Sequence, residues 1–296
     1  MLEYLTALAC LNFYLHFKGA LASRRQWKML ITSLQNERIK YAAKLWNRRS
    51  RDEEKRTLLE GYRAITRANQ CGMKIEECFY CPPMFLGENE NALLAKLAET
   101  GTVITETSDR VFAKLAYRDR PEGLIAIAEI REHKLENLPV IKNGLYLVAE
   151  RIEKPGNLGA ILRSADAAGS DGIIVCDKCT DIYNPNVITA STGTLFSVPL
   201  AETSTQEASE WLKRNGIKTL AATPHTDKNY TDIDMKTGIA IVVGAEQFGL
   251  SEFWLKNSDI SVRIPMLGLA DSLNVSTATT ILLYEAARQR GWKKNT

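Results

Sequence analysis

Three short stretches in the second half of the chain place polar residues and glycines where apolar, strand-like runs end. They cover residues 157–163, 244–250 and 264–276, and each leads into a helical pattern. Ligands bind outside the carboxyl ends of strands in parallel α/β sheets, so these stretches predict a ligand site. Their arginine, carboxylate, amide and hydroxyl side chains can orient a substrate and stabilise negative charge that develops on it.

Arg163 is the residue with the clearest chemical use. It follows Asn157 by six positions, so less than two helical turns separate the two. A free arginine is too weak a base to take a proton. Its guanidinium can stabilise a developing oxyanion if a phosphate or a water molecule accepts the proton. The alternative is an ordinary exposed arginine on an amphipathic helix.

The second and third stretches carry a carboxylate, two glycines and good helix-capping residues. Glu246 follows the fully apolar run 239–243, and Gly244 and Gly249 allow a tight turn and close approach of a ligand. Ser272 and Asn274 stand just before the last helical pattern. Plain turns with helix-capping side chains are the alternative for both stretches.

In this order, the three stretches resemble the catalytic domain of the SpoU (TrmH-type) branch of the SPOUT methyltransferases, over residues 144–292. That family transfers a methyl group from S-adenosylmethionine to a ribose 2′-hydroxyl in RNA. The resemblance implies that Arg163 contacts the ribose and the target phosphate, and that mostly backbone groups bind the donor. The predicted catalytic residues are Asn157, Arg163, Glu246, Ser272 and Asn274, and the predicted donor-binding residues are Thr223, Gly244, Gly249, Ile264 and Leu273.

Strand-like runs and helical patterns alternate in the second half of the chain. The predicted strands cover 145–149, 172–176, 217–222, 239–243 and 262–265, and the predicted helices cover 158–168, 209–215 and 277–290. Such alternation predicts an α/β fold with a mostly parallel sheet and helices on both faces. The resemblance adds a deep trefoil knot, which periodicity does not show.

The first half is predicted to form a small α/β RNA-binding domain. Residues 33–68 have a helical, basic pattern, followed by strands at 78–81, 103–106 and 123–128 and a helix at 92–99. Segment 58–65 resembles the domain, related to ribosomal proteins, that precedes the catalytic domain in many SpoU-family enzymes. The predicted boundaries are 1–28 for an upstream extension, 29–130 for this domain, 131–143 for a linker and 144–296 for the methyltransferase domain.

Positive charge is concentrated in this first half. The 296-residue chain has a net charge of +3, but residues 18–70 alone hold 14 Lys/Arg against 5 Asp/Glu. A local excess of this kind is typical of a surface that binds a polyanion, and a solvated helix face is the alternative. RNA contacts are predicted for Arg38, Lys40, Lys44, Arg48, Arg49, Arg51 and Arg63.

Other patterns carry less weight. The C-x-x-C pairs 78/81 and 176/179 have strand-like flanks, which favours reduced thiols of a cytosolic protein over a zinc site. The apolar run 2–17 lacks the basic start of a signal peptide and is too short to span a bilayer. Segment 156–169 lacks the G-x-G-x-x-G spacing of a dinucleotide site. His225 either lies near the donor or is an exposed bystander.

The sequence therefore predicts a cytoplasmic, homodimeric RNA 2′-O-ribose methyltransferase with S-adenosylmethionine as donor and no metal or membrane partner. Ribosomal RNA is favoured over transfer RNA by analogy, because the transfer-RNA branch often lacks an accessory domain. A non-catalytic RNA-binding protein and a base methyltransferase are the other hypotheses. The dimer is implied by the resemblance, and the closing helix carries apolar residues for it, namely Ile281, Leu282, Leu283, Tyr284 and Ala287.

Overall fold

The computed structural model of the protein describes residues 30–293. They form two compact units: an N-terminal unit of residues 30–69 and 74–129, and a C-terminal unit of residues 70–73 and 130–293. The predicted upstream extension, residues 1–28, lies outside the described residues.

A five-stranded mixed sheet forms the centre of the N-terminal unit. The strands are β1 (Leu30–Ile31), β2 (Arg56–Glu60), β3 (Ile75–Tyr80), β4 (Val103–Thr107) and β5 (Leu124–Glu129). The helices are α1 (Glu37–Lys44), α2 (Arg48–Glu54), α3 (Tyr62–Gln70), α4 (Glu90–Glu99) and α5 (Asp109–Leu115). The strand order is β1-β4-β3-β5-β2, and β5 runs antiparallel to both of its neighbours.

Residues 33–68 do not form one helical stretch, which corrects the prediction. Asn36 and Asn47 each cap a new helix by accepting a hydrogen bond from the backbone two residues later, at 2.9 Å. Lys55 adopts a φ of 53° where α2 ends, and β2 follows directly. Four successive residues of β2 are buried. A strand that is covered on both faces lacks the polar–apolar alternation by which a sequence reveals a strand.

A six-stranded, fully parallel sheet forms the centre of the C-terminal unit. Its strands are β6 (Leu145–Glu150), β7 (Gly172–Cys176), β8 (Leu200–Thr203), β9 (Lys218–Ala222), β10 (Ile239–Val243) and β11 (Ile260–Val262), in the order β11-β9-β10-β6-β7-β8. The helices are α6 (Pro155–Ala167), α7 (Pro185–Ala190), α8 (Thr205–Arg214), α9 (Glu252–Asn257) and α10 (Val275–Gln289). The predicted α/β class with a parallel sheet is confirmed, and the trefoil knot stays a prediction.

Apart from α8, which begins at Thr205 rather than at 209, the differences from the predicted elements of this unit concern short segments. The last strand is Ile260–Val262 rather than 262–265, and β8, α7 and α9 were not predicted. These elements have three to six residues. A segment of that length completes too few periods for its pattern to be recognised. The central strands β6, β7 and β10 are equally short, but their almost wholly apolar composition marks them, and every residue in them is buried.

A partly buried histidine makes the stability of the C-terminal unit depend on pH. The His133 Nε2 atom lies 2.9 Å from the Tyr183 hydroxyl. Burial lowers the pKa of His133 from 6.5 to about 4. As the pH falls through this interval, the unfolded chain gains a proton that the folded chain does not take up. The free energy of unfolding is therefore expected to fall by up to about 1.4 kcal/mol per pH unit.

Urea unfolding at pH 7 and at pH 5 measures this effect. A His133→Gln variant is expected to lose that part of the pH dependence, because glutamine does not titrate. An identical dependence in the two proteins would assign the effect to other groups.

Candidate active site

A cavity of about 530 Å³ opens where β9, β10 and β11 end. The loops that follow these strands and the first turn of α10 build its wall. Eight of the predicted site residues line it: Thr223, Gly244, Glu246, Gly249, Ile264, Ser272, Leu273 and Asn274. The volume is in the range of sites for small organic ligands.

The turn after β10 shapes the cavity through two glycines. The Gly249 amide donates to the Ala245 carbonyl at 2.9 Å, and Gly249 has a φ of +67°. A Cβ atom on Gly244 would overlap the backbone of Gly249 and lie 2.5 Å from the Leu250 nitrogen. The chain therefore folds back onto itself as only glycine permits at position 244.

A chain of hydrogen bonds links the three sequence stretches. Asn157 Nδ2 donates to Glu246 Oε1 at 2.6 Å, and Asn274 Nδ2 donates to Asn157 Oδ1 at 3.2 Å. Asn274 is also the N-cap of α10, because its Oδ1 accepts from the Ser276 amide at 2.9 Å. The capping role and the site role of Asn274 are thus compatible. At the helix contact, Ser164 and Thr280 join α6 to α10 through their hydroxyls at 2.7 Å.

Glu246 anchors the start of α6. Its carboxylate accepts from the backbone amides of Glu153 at 3.3 Å and Lys154 at 3.4 Å, besides Asn157. Partial burial alone would raise the pKa of Glu246, but the hydrogen bonds that stabilise the ionised form lower it below the ordinary value. A carboxylate with a lowered pKa is a weak base. The geometry therefore suits Glu246 to positioning Asn157 rather than to removing a proton.

Arg163 lies away from the cavity of its own chain. It is on α6, six residues beyond Asn157, and its side chain is exposed and does not line the cavity. Within residues 30–293 its guanidinium makes no hydrogen bond or ion pair. Its charge is thus available to a molecule outside this chain.

Several residues that the sequence did not single out also line the cavity. They are Lys154, Phe248, Leu255, Met266 and Asp271, among others. His225, left open between two hypotheses, is an exposed residue of the cavity wall. Lys154 and Phe248 could have been predicted as lining residues, because they lie beside or within the first two sequence stretches. Leu255 is on a helix that the sequence did not predict, and no local signal pointed to it.

The cysteines offer no metal site in the described part of the chain. Burial raises the pKa of Cys78 and Cys176, and it raises that of Cys81 to about 12. Without a metal ion these groups are therefore thiols. Residues 30–293 contain no group of three or more His, Cys, Asp or Glu side chains placed to hold a metal ion. No helix of this range is both long and apolar enough to cross a membrane.

The basic residues of the N-terminal unit divide into exposed and structural ones. Lys44, Arg48, Arg49 and Arg63 are exposed. Arg51 is 3% exposed, and its guanidinium donates to the carbonyls of Leu45 and Trp46 at 3.0 and 2.8 Å. This corrects the predicted RNA contact of Arg51, since its donors hold the protein backbone. Of the remaining predicted RNA contacts, Arg38 forms an ion pair with Glu77 and Lys40 forms one with Glu37.

Two family models match the chain. The model of the SpoU rRNA methylase family matches residues 144–284. The model of an MRM3-like substrate binding domain matches residues 36–126. The two matches fall on the C-terminal and N-terminal units, respectively.

Proteins of known class are similar over most of the chain. A 23S rRNA (uridine(2479)-2′-O)-methyltransferase of Streptomyces viridochromogenes is 32% identical over 274 residues, which cover 88% of this chain and 92% of that protein. A solved structure of an RNA 2′-O ribose methyltransferase has a TM-score of 0.79 at 43% identity and covers 88% of this chain and 99% of that one. An AdoMet-bound rRNA methyltransferase from Sinorhizobium meliloti has a TM-score of 0.80 at 32% identity, covering 88% and 97%.

Proposed function

This chain belongs to the SpoU rRNA methylase family, and we propose that it transfers a methyl group from S-adenosylmethionine to a ribose 2′-hydroxyl of ribosomal RNA. The matches confirm the predicted family, enzyme class and donor. The observation that carries the proposal is the hydrogen-bonded chain of Glu246, Asn157 and Asn274, which joins all three sequence stretches beside one cavity.

The residues of the cavity fit the donor. Val243, Leu250, Val262 and Ile264 form an apolar lining, and the turn at Gly244 brings backbone groups to the wall without a side chain. Backbone at Gly244, Ile264 and Leu273, with Thr223, would hold S-adenosylmethionine. When bound, the donor supplies an electrophilic methyl group on a sulfonium. Donor contacts made mostly by backbone and apolar groups require no dinucleotide fingerprint, so its absence is no obstacle.

We expect the 2′-hydroxyl to be activated by stabilisation of the negative charge that develops on its oxygen. Glu246 is held as an ionised, hydrogen-bonded carboxylate and is a weak base. A guanidinium such as that of Arg163 favours the developing alkoxide by electrostatic attraction. The proton then passes to a substrate phosphate or to water, because arginine itself does not accept it.

The exposed position of Arg163 supports a homodimeric enzyme, which we also propose. Because Arg163 does not line the cavity of its own chain, a symmetric partner can present its own copy there. The apolar excess on α10 is smaller than the sequence suggested, since Leu282, Leu283 and Ala287 are buried within the chain. Tyr284 and Trp292 stay exposed, with their rings 6.1 Å apart. Tyr284 and Trp292 are exposed apolar surface that α10 and the residues after it offer to a second copy.

Light scattering on the full chain tests the dimer. The expected mass is twice 33.1 kDa. Tyr284→Glu is expected to shift the protein towards the monomer, because a symmetric contact would bury two added charges. Glu210→Gln, on an exposed position of α8, is the control and should stay dimeric. A wild-type monomer that methylates RNA would contradict the dimeric site.

Tritium transfer from methyl-labelled S-adenosylmethionine to ribosomal RNA without modifications tests the function. Label is expected in ribosomal RNA, and nuclease mapping is expected to place it on a ribose. Label in transfer RNA alone would favour the transfer-RNA alternative, and label on a base would favour the base methyltransferase. Donor binding separates the enzyme from a non-catalytic RNA-binding protein, for which no binding is expected.

The exposed cations of the N-terminal unit are expected to contact RNA phosphates. The side chains of Lys44 and Arg63 have no hydrogen-bond or ion-pair partner within residues 30–293. Replacing either by glutamine should lower the slope of log K for RNA against log salt concentration by about 0.7–0.9, the loss of one phosphate contact. Lys96→Gln on α4 changes the same charge outside the basic segment and should leave the slope unaltered. Equal slopes in the wild type and the three variants would show that these cations are solvated and do not contact RNA.

A further inference from the structure

Two aromatic side chains from separate segments meet on the surface of the N-terminal unit. Trp46 follows α1 and Tyr117 follows α5, and their ring centroids are 5.2 Å apart at 40°. The Trp46 indole donates to the Leu115 carbonyl at 2.8 Å and is partly buried. Tyr117 is 46% exposed. We call these two residues the aromatic pair, in which Tyr117 is the more exposed ring.

Two buried charged residues hold the backbone of the aromatic pair. Arg51 donates to the Trp46 carbonyl at 2.8 Å, as described above. Glu60, 6% exposed, accepts from the amides of Tyr117 at 3.0 Å and Arg118 at 3.3 Å. A buried charge is costly unless hydrogen bonds satisfy it. A cation fixes one aromatic segment and an anion fixes the other, so the pair is positioned before any partner arrives.

Positive charge flanks both aromatic residues. Lys44 and Arg48 lie on either side of Trp46 in sequence, and Arg118 and Arg120 follow Tyr117. Arg48 pairs with Asp52, and Arg118 pairs with Glu122. The side chains of Lys44 and Arg120 make no hydrogen bond or ion pair with the described residues. Asp119 is the exposed acidic residue between the two arginines. The balance around the pair is positive.

We propose that the aromatic pair is a stacking platform for an unpaired base of the RNA substrate. An open aromatic ring among cations suits a base that stacks while its phosphates meet the charges. A protein partner would gain less from this surface, because it would have to desolvate the cations of Lys44 and Arg120 beside the exposed ring. The proposal rests on the proposed function, which makes RNA the substrate, and it extends the RNA contact to Tyr117, outside the basic segment 18–70.

The test is a direct titration of the full chain with a single-stranded RNA oligonucleotide and with duplex RNA of equal length. Tyr117→Ala is expected to weaken binding of the single strand by about 5- to 150-fold, the range for one base–aromatic stack. Duplex binding should change less, because its bases are already stacked. Tyr117→Phe should bind as the wild type does, and Tyr117→Leu should be as weak as the alanine variant. Val103→Ala, a 53% exposed apolar residue of the same unit, is the control.

Two further readouts separate stacking from a structural role and from donor binding. The salt slope should be unchanged in Tyr117→Ala, because no phosphate contact is removed, and the dissociation constant of S-adenosylmethionine should also be unchanged. Wild-type affinity in Tyr117→Ala would overturn the platform, and so would equal binding by the Leu and Phe variants. If the alanine variant does not fold, the Leu–Phe comparison decides. If the wild type transfers no methyl group but its affinity for single-stranded RNA still depends on Tyr117, only the proposed function is refuted.

Discussion

Replacing Arg163 by alanine is expected to slow methyl transfer at least about 100-fold, while donor affinity changes no more than a few-fold. The rate falls because the guanidinium is the charge proposed to stabilise the alkoxide, and one such group is worth about 2.7–4 kcal/mol. Donor binding is spared because Arg163 does not line the cavity. Single-turnover kinetics and donor titration measure the two quantities. Arg214→Ala, an exposed arginine at the end of α8, is the matched control. Near-normal turnover without Arg163 would end its proposed role.

Mixing experiments can tell whether Arg163 serves its own cavity or that of a partner. An Arg163→Ala chain retains an intact donor cavity, and a Gly244→Ala chain retains Arg163. If Arg163 acts in the cavity of the partner chain, a mixed dimer contains one complete site, built from the two chains. Random pairing of equal amounts should then restore about a quarter of the wild-type activity, since half of the dimers carry one working site of two. No recovery on mixing would place Arg163 in the site of its own chain.

Gly244→Ala is expected to be the most damaging change to donor binding. The new Cβ would meet the backbone of Gly249 and Leu250, which cannot rotate away as a flexible side chain can. Forcing an added methyl group into packed structure costs about 1–3 kcal/mol. The turn after β10 must open, so donor affinity should fall by about 5- to 150-fold if that cost appears in binding.

Gly268→Ala is the matched control for this prediction. Gly268 lies in the loop between β11 and α10, and a Cβ atom there would meet nothing within 4 Å. Calorimetric titration with S-adenosylmethionine should show wild-type affinity for this variant. Thermal unfolding of both variants separates a local effect on the turn from a loss of the fold. Equal donor affinity in the two variants would mean that the turn at Gly244 does not shape the donor site.

Much of the candidate site was predictable because its residues stand beside the elements that carry them. Gly244 and Glu246 follow a fully apolar strand, and Ser272 and Asn274 precede a long helix, so their places depend on local order. The hydrogen bond between Asn157 and Glu246 spans 89 residues and was not predictable in this way. It depends on β6 and β10 pairing in parallel, which brings the segments after both strands to one edge of the sheet.

The sequence by itself determined the family and the parallel sheet, because both follow from the order of apolar runs and short motifs along the chain. Only the tertiary structure decided which of several similar side chains face solvent. Arg49 and Arg51 stand two positions apart on α2, yet the first is exposed and the second is buried. Likewise, Arg163 proved to lie outside the cavity that its motif helps to build. The reason is physical: burial is set by segments that are distant in sequence and pack against one face of a helix, and no local pattern records their positions.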